Sequence, residues 1–365
     1  MITAMKKVCI VPFTSKEWPI VTSLDKTYIV VSVVSPNGIG IGNNDIGILK
    51  NRCGMNIYGS TDIKNGFSKC DTVIISKCSD DLREFAIEAL EAAVENKKDI
   101  LCFLNLSVSE GEKYSRICKD LNIKFITFDL MNITSIDATN YKFKKINIPV
   151  LYIGEMVENI DGDEIYINTI NYYRNKKYKV LGLSENIYTY LYEQVPLKFF
   201  SNKDYKQEVI QLNYYVNYMV QEIKPDIIII QLPKPMIQFS NFIHYDFGIS
   251  AYMVSNAIPA DYLILCTPLG MVNSDLHEII RDSFLSKFGV EITALHVGNQ
   301  IVDNSYENVE GEFEFVYDKL EHSLAFADNL RKNGCDANNY TNKKFLHQLL
   351  DEIDSEALKL CYGVI

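Results

Sequence analysis

An acidic loop between a predicted strand and a predicted helix has the position of a phosphate-binding loop without its chemistry. The apolar run 149–154 (PVLYIG) predicts a strand, and the periodic segment 163–175 predicts a helix. A Walker A loop stands at such a junction, where its lysine neutralises phosphates and a serine or threonine holds magnesium. No lysine, serine or threonine occurs between Gly154 and Thr169. The loop carries five carboxylates instead: Glu155, Glu158, Asp161, Asp163 and Glu164.

These carboxylates would repel a triphosphate before any metal ion is counted, so the sequence predicts no ordinary ATP hydrolysis at this loop. Two interpretations stay open. In the first, the loop binds a cation, an amine or a basic peptide segment through residues that include Gly154, Glu155, Asp161 and Asp163. In the second, Asp161 or Asp163 caps the following helix and the other carboxylates are solvated.

A second group of polar side chains follows the most strand-like run of the chain, 226–232 (DIIIIQL). Ligands of open α/β sheets gather at the carboxyl ends of the strands, so Lys234, Asn241, His244 and Asp246 are candidate ligand-binding residues. A loop histidine is more often a hydrogen-bonded structural residue than a catalyst. His244 and Asp246 have no serine or cysteine nucleophile near them in the sequence, and no catalytic residue is assigned.

A glycine-rich loop, 35–42 (SPNGIGIG), follows the predicted strand 28–34. Glycines let backbone amides approach a phosphate closely, but a dinucleotide loop has GxGxxG spacing and opens directly into a helix after the first strand. This loop has neither feature, because it continues into the polar run 43–47. It is therefore interpreted as a flexible or ligand-adapted loop, and no NAD site is predicted.

Tyrosine is abundant, with 23 residues in the chain. Tyrosine is common at protein interfaces because it offers a large contact area at a low entropy cost. The segment 187–200 is a plausible docking segment, with Tyr188, Tyr190 and Tyr192 as its partner-binding candidates. The alternative is a bias toward Ile, Asn, Lys and Tyr of the kind that AT-rich genomes produce.

The elements that position these residues predict an α/β fold of two Rossmann-like or P-loop-like parallel-sheet domains with a helical C-terminal tail. Strand-like and helix-like segments alternate, which indicates parallel strands joined by right-handed crossovers. We predict a Rossmann-like N-terminal domain over 1–145, a degenerate P-loop-like domain over 146–300, and a helical extension over 301–365. Two surface helices, 317–330 and 344–360, are predicted in that extension.

Composition narrows the class of protein. The chain has 365 residues, a net charge of −11 and a pI near 5.1, which disfavours nonspecific nucleic-acid binding. The nine cysteines include no CxxC pair, so they predict free thiols in a reducing cytoplasm and neither a disulfide framework nor a metal cage. No secretory signal and no membrane span are expected.

The order of these segments resembles the clostridial "peptide maturation system protein" family. The resemblance rests on VSPNGIGIGNNDIG, CDTVIIS and KKDILCFL in the first half, and on PVLYIGE, YKVLGLSEN, PDIIIIQLP, DFGISAYMVSNAIPADYLILC and FGVEI in the second. It covers most of residues 5–300. Members of that family lie in gene clusters for ribosomally made, modified cysteine-rich peptides, beside a radical SAM maturase and a small carrier-like protein.

Two departures from the family pattern fall at ligand-facing loops. The family has a Gly-Glu-Gly turn and then Asp-Lys-Phe, whereas this chain has Met156 in place of the second glycine and 163–165 (DEI) near the position of Asp-Lys-Phe. After the PDIIII strand the family has Pro-Gly-Gly, and this chain has 233–235 (PKP). Both departures argue against nucleotide binding and indicate a divergent member.

The resemblance implies an accessory protein in peptide maturation that binds the precursor peptide or the radical SAM maturase. No cofactor and no metal site are predicted, and a bound nucleotide stays open. The alternative is an enzyme, a ligase or a group-transfer enzyme, with a nucleotide or metal in the cleft between the domains. A third interpretation is a structural homodimer subunit. An ATP titration and a titration with the precursor's leader segment discriminate the first two.

Overall fold

The computed structural model describes residues 5–24, 28–38, 42–52, 54–128, 141–200, 204–238, 248–302 and 315–362. The chain divides into two compact units. The first comprises residues 1–133 with Tyr190–Tyr192, and the second comprises residues 134–189 and 193–365. Candidate residues Asn241, His244 and Asp246 lie outside the described residues. Each unit is an α/β structure built on a parallel sheet, as the sequence predicts.

The first unit's sheet has the order β3-β2-β1-β4-β5-β6 over the described residues, with every pairing parallel. Its strands are β1 Lys6–Val11, β2 Tyr28–Val34, β3 Gly59–Ser60, β4 Thr72–Ile75, β5 Asp99–Cys102 and β6 Phe125–Thr127. Its α-helices are α1 Trp18–Ser23, α2 Ile63–Phe67, α3 Arg83–Glu95 and α4 Val108–Asp120. The order reverses direction at β1, so the gap between β1 and β4 is the topological switch point.

Crossover handedness assigns the helices to the two faces of this sheet. The β1-to-β2 connection runs toward one edge, whereas the β4-to-β5 and β5-to-β6 connections run toward the other. Right-handed crossovers therefore place α1 on the face opposite α3 and α4. The core agrees, because Val11, Val73 and Ile75 pack in one cluster with the buried residues of α3 and α4, and Trp18 of α1 is not in it.

The second unit's main sheet has the order β15-β12-β11-β7-β10-β8-β9 within the described residues, again with parallel pairings. Its strands are β7 Val150–Glu155, β8 Val180–Ser184, β9 Val195–Pro196, β10 Ile227–Gln231, β11 Tyr262–Thr267, β12 Ala294–Val297 and β15 Ala337–Asn338. A small antiparallel pair joins β13 Gln300–Val302 to β14 Phe315–Tyr317. The helices are α5 Gly162–Asn175, α6 Tyr205–Ile223, α7 Ile249–Ala257, α8 Ser274–Phe288, α9 Leu320–Lys332 and α10 Lys343–Tyr362.

The segment after residue 300 is more than a helical extension. It contains α9 and α10, close to the predicted helices, and it also supplies β14 and β15. Strand β15 extends the main sheet beside β12. Helix α10 covers α5: the Tyr172 hydroxyl donates to Asp351 at 2.6 Å, and the Tyr172 ring lies 5.0 Å from that of His347. Helix α10 keeps an exposed face, as expected of a surface helix, and its apolar stripe alone does not reveal which neighbour it packs against.

Helix α5 is buried on nearly all sides, since it lies between the sheet and α10. Its buried residues include the apolar Ile165, Tyr166, Ile167, Ile170 and Tyr173 as well as the polar Glu164, Asn168 and Thr169. Among the described residues, no helix combines the length and the apolar content that a membrane crossing requires.

Candidate functional site

The candidate site of the second unit lies where β7 ends and α5 begins. Glu155 is the last residue of β7, and Gly162 is the first residue of α5. Asp161, between them, has a left-handed backbone with φ of 61°. A Cβ atom on Gly162 would lie 2.2 Å from Glu155 Oε1, so a side chain there would displace the carboxylate. The strand–loop–helix layout predicted from the sequence is present, with a carboxylate packed against the start of the helix.

A lysine does reach this position, but it comes from the neighbouring strand. Lys234 follows β10, which is paired with β7. Its ammonium lies 2.8 Å from Asp163 Oδ2 and 3.2 Å from Glu155 Oε1. The side chains are 25% exposed for Lys234, 17% for Asp163 and 1% for Glu155. The lysine therefore sits between two carboxylates that are largely removed from water.

Amide and hydroxyl groups on two other strands hold Asp163 in place. Asn186 Nδ2 donates to Asp163 Oδ1 at 2.8 Å, and Gln231 Nε2 donates to the same oxygen at 3.0 Å. The Ser184 hydroxyl in turn donates to Gln231 Oε1 at 2.5 Å. Each of these residues lies at or just after the end of β8 or β10. We name Glu155, Asp163, Lys234, Gln231 and Asn186 the lysine clamp.

The two carboxylates of the lysine clamp are not equivalent. Burial raises the pKa of Glu155, the Lys234 charge offsets this only in part, and the charge of Asp163 raises it again. Burial also acts to raise the pKa of Asp163, but the Lys234 charge and the hydrogen bonds from Asn186, Lys234 and Gln231 outweigh it and leave that pKa below its ordinary value. Burial acts to lower the pKa of Lys234, yet its two carboxylates raise it overall. Asp163 is thus the permanent partner of the lysine, and Glu155 is the group that takes up a proton more readily.

A second buried group extends the site toward β11 and β12. His296 Nε2 lies 3.6 Å from Asp161 Oδ2, and both side chains have no solvent exposure. His296 Nδ1 accepts the backbone N–H of Tyr340 at 3.0 Å, so Nε2 is the nitrogen that carries a proton and faces Asp161. Cys266 is in register with Glu155 on one side and His296 on the other.

Cys266 does not have the environment of a nucleophile. Burial raises the pKa of its thiol well above the ordinary value, and the nearby Glu155 and Asp161 charges raise it further. A reactive cysteine needs an electropositive, partly exposed environment that lowers its pKa. Within the described ranges, no group of three or more His, Cys, Asp or Glu side chains is placed to hold a metal ion.

The site residues that the sequence predicts lie in different places in the structure. Glu155, Asp163 and Lys234 form one network, and Asp161 lies beside it against His296. Gly154 serves packing, since a Cβ atom there would lie 2.2 Å from Met236 Sδ. Tyr188 and Tyr192 are only 6% and 5% exposed, which leaves Tyr190 as the half-buried member of the three docking candidates. Docking by these tyrosines stays a prediction.

Sequence reasoning missed Gln231, Asn186, Ser184 and His296. A signal for three of them is visible: Ser184, Gln231 and His296 are polar residues at or near the ends of apolar strands. A polar side chain at the carboxyl end of a parallel strand faces the edge where sites are built. No local pattern, however, pairs Lys234 with a carboxylate 71 residues earlier in the chain.

These observations define an α/β protein with one Rossmann-like unit and one P-loop-like unit. The chain is similar to the crystal structure of a DUF1611 family protein from Anabaena variabilis, with a TM-score of 0.57 and 9% identity over 95% of this chain and 99% of that one. It also matches 41% of its length to 74% of a cobyrinic acid a,c-diamide synthase from Mycobacterium smegmatis with bound ADP and magnesium, at 9% identity and a TM-score of 0.27. The first similarity supports the fold over nearly the whole chain. No family model and no curated protein sequence matches the chain.

Proposed function

We propose that this chain is an accessory protein of peptide maturation that binds a precursor peptide or its maturase and turns over no nucleotide at its P-loop position. The observation that carries the proposal is the Lys234 ammonium held between Asp163 and Glu155. In a working P-loop the lysine faces the phosphates of the nucleotide. Here the protein's own carboxylates take the place that phosphate oxygens would have.

A nucleotide would have to break this arrangement before it could bind. Drawing Lys234 toward a phosphate would leave Asp163 and Glu155 buried without their cation, and breaking a buried ion pair costs about 3–5 kcal/mol. The phosphate would also meet two carboxylates at short range, where like charges repel. Both effects act against the triphosphate and in favour of a closed site.

The binding part of the proposal is supported by exposed aromatic side chains at the first turns of two neighbouring helices. Tyr205 of α6 stacks on Tyr252 of α7 with 5.9 Å between ring centroids, and both remain more than a third exposed. Ile249, one turn before Tyr252, is also exposed. Tyrosine and aliphatic side chains grouped on a surface are typical of interaction sites. The peptide as partner comes from the family resemblance.

Isothermal titration with MgATP, and then with the leader segment of a cysteine-rich precursor peptide encoded next to the gene, tests the proposal. We expect binding heat when the leader segment is added. In the MgATP titration we expect no heat that depends on Lys234. Truncating an interface tyrosine commonly costs about 2 kcal/mol, so Tyr252→Ala should weaken peptide binding by roughly thirtyfold. Tyr218→Ala is the matched control, because Tyr218 is an exposed tyrosine at the other end of α6.

Two outcomes would overturn the proposal. The first is MgATP binding to the wild type that Lys234→Met abolishes, which would place a nucleotide at the lysine clamp and favour the alternative of a ligase or group-transfer enzyme. The second is the absence of binding to both the leader segment and the purified maturase.

A further inference from the structure

The segment of the second unit that precedes β7 presents a run of lysines to solvent. We propose that residues 142–145 (KFKK), which we name the basic strip, bind an extended acidic segment of a partner protein. The backbones of the two would pair as strands do, and carboxylates of the partner would contact the lysines. The proposal goes beyond the proposed function, since it concerns a different surface and does not depend on Tyr205 and Tyr252.

Asn213 of α6 fixes the middle of the basic strip. Its side-chain Oδ1 accepts the backbone N–H of Lys144 at 3.0 Å, and its Nδ2 donates to the Lys144 carbonyl at 3.0 Å. The same Nδ2 donates to the carbonyl of Ala257 at 2.8 Å, and the same Oδ1 accepts the hydroxyl of Tyr141 at 2.8 Å. Asn213 has no solvent exposure. The backbone of the strip is therefore anchored to the interior of the second unit.

This anchor directs the neighbouring backbone groups outward. The N–H and the carbonyl of Lys144 face the same partner, as those of an extended residue do in a strand pair. Successive residues of an extended chain alternate in this direction, so the groups of Phe143 and Lys145 point away from α6. Residues 141–147 belong to no helix or strand, and Phe143 and Lys145 make no backbone hydrogen bond with the described chain. The strip thus offers an edge to which an extended peptide can add.

The positive charge of the basic strip is not neutralised by any described side chain. Lys142, Lys144 and Lys145 are exposed, and none of the three forms a salt bridge with a described residue. The Lys144 ammonium lies 5.6 Å from the centroid of the Tyr141 ring, a contact that leaves its charge in place. Three lysines within four residues make a local positive patch in a chain whose net charge is −11. Carboxylates are the complementary groups for such a patch.

The carboxylates of the helix that holds the basic strip do not compensate it. Glu208 is buried, and its carboxylate accepts the backbone N–H of Phe200. Glu222 lies nine residues after Asn213 in α6, which is about 14 Å along the helix axis. A partner therefore has to supply the acidic groups.

The charge of the remaining protein favours a short peptide over a large polyanion. Exposed charges act over about 8 Å at physiological ionic strength. A short segment on the basic strip therefore meets mainly the three lysines. A membrane surface or a nucleic acid extends over the acidic remainder of the protein and is repelled by it. Phe143 is 48% exposed, so the segment can also place an apolar side chain against its ring.

The experiment follows the fluorescence anisotropy of a labelled Glu-Val-Glu-Phe-Glu-Val peptide as the full-length protein is added. We expect saturable binding that weakens when sodium chloride is raised, because salt screens exposed charges. The peptide with glutamine in place of glutamate should bind about tenfold more weakly, since it loses its contacts with the lysines. The peptide methylated on all of its backbone nitrogens should lose at least as much, because it keeps its charges and has no donors for strand pairing.

The matched protein variants are Lys142→Glu/Lys145→Glu in the basic strip and Lys343→Glu/Lys344→Glu at the start of α10. All four lysines are exposed, and the two variants change the net charge equally. The strip variant should weaken peptide binding by about tenfold or more, because two attractive contacts become repulsive. The α10 variant should bind within about twofold of the wild type, since only its net charge has changed. Carboxylates suit the first turn of a helix, so this control should fold normally.

The proposal is overturned if the acidic peptide shows no saturable binding, or if the two variants weaken it equally. Tighter binding of phosphatidylserine vesicles or of an oligothymidylate than of the peptide would also overturn it, and would assign the strip to a membrane or a nucleic acid. Binding that is lost in Tyr252→Ala and kept in the strip variant would place the peptide on the surface of α6 and α7 instead. The proposed function is tested by the leader segment, the maturase and MgATP, so the two proposals can fail separately.

Discussion

The carboxyl edges of the two sheets differ in how their buried polar groups are partnered. In the second unit, charges at the strand ends are neutralised by one another, with Lys234 bonded to Asp163 and Glu155. In the first unit, the buried donors Trp18 Nε1 and Ser76 Oγ lack acceptors among the described residues. Polar groups at the edge of a parallel sheet can therefore form one connected network, as in the second unit, or remain separate, as Trp18 and Ser76 do in the described part of the first.

Removing the cation of the lysine clamp should give the largest effect. Lys234→Met leaves Asp163 and Glu155 buried without their partner, which should lower the free energy of unfolding by about 3–5 kcal/mol. Chemical denaturation followed by circular dichroism measures it. Lys145→Met, at an exposed lysine, is the control. If the free energy of unfolding falls by less than about 1 kcal/mol, water already screens the lysine clamp. The contrast between the two sheet edges would then not hold.

The close approach of Glu155 to α5 gives the next largest effect. In Gly162→Ala the new methyl group would meet Glu155 Oε1, and overpacking of this kind costs about 1–3 kcal/mol. Gly111→Ala in α4 is a matched control, since a Cβ atom there has open space and alanine favours a helix interior by up to about 1 kcal/mol. Opposite signs for the two variants in thermal unfolding would confirm that Gly162 is constrained by the clamp. Equal signs would contradict it.

Acid should act on the lysine clamp through Asp163. Its pKa is lowered in the folded state, so its contribution to stability is present above the unfolded value near 4 and is lost as the pH falls through the folded value. Glu155 acts in the opposite direction, because its raised pKa favours the folded state at low pH and that contribution disappears as the pH rises. Wild type should therefore lose more stability than Asp163→Asn between pH 5 and pH 2, which unfolding curves at each pH will measure. If the free energy of unfolding depends on pH in the same way in both proteins, the Asp163 carboxylate does not stabilise the lysine clamp.

The smallest expected effects come from two serines, one at the end of a strand in each unit. Ser184 donates to Gln231 and accepts the backbone N–H of Asn186, so Ser184→Ala should cost about 1–2 kcal/mol. Ser76→Ala removes a buried hydroxyl that has no partner in the described structure. The free energy of unfolding should therefore fall by less than about 0.5 kcal/mol, or rise. A large loss of stability in Ser76→Ala would mean that its hydroxyl serves the fold.

Much of the fold could be predicted from the sequence, because apolar runs and helical periodicity are local properties. Strand β10 and helix α5 lie almost where DIIIIQL and the periodic segment 163–175 predict them. Strand β3 and helix α2 were not predicted, since two and five residues carry too little period to be read. Strand β15 was hidden for the same reason, and because its pairing with β12 is a long-range contact.

The candidate site was predictable in its parts and not in its pairing. The acidic loop and Lys234 were both recognised as ligand-facing, each from its position after a strand. Their contact depends on the strand order, which places β10 directly beside β7 although about 70 residues separate them in sequence. The sequence therefore indicates a missing lysine, whereas the structure shows a lysine delivered from the adjacent strand and already engaged.

Because α10 packs over α5, the second unit can be completed only after α10 has been synthesised. Tyr172 and Asp351 are 179 residues apart, so about 180 residues must be synthesised before they meet. At ribosomal rates of about 5–20 residues per second, that interval lasts roughly 10–40 seconds. During that time the outer face of α5 has no cover from α10. The second unit is thus completed late in translation, well after the residues of its own clamp have been made.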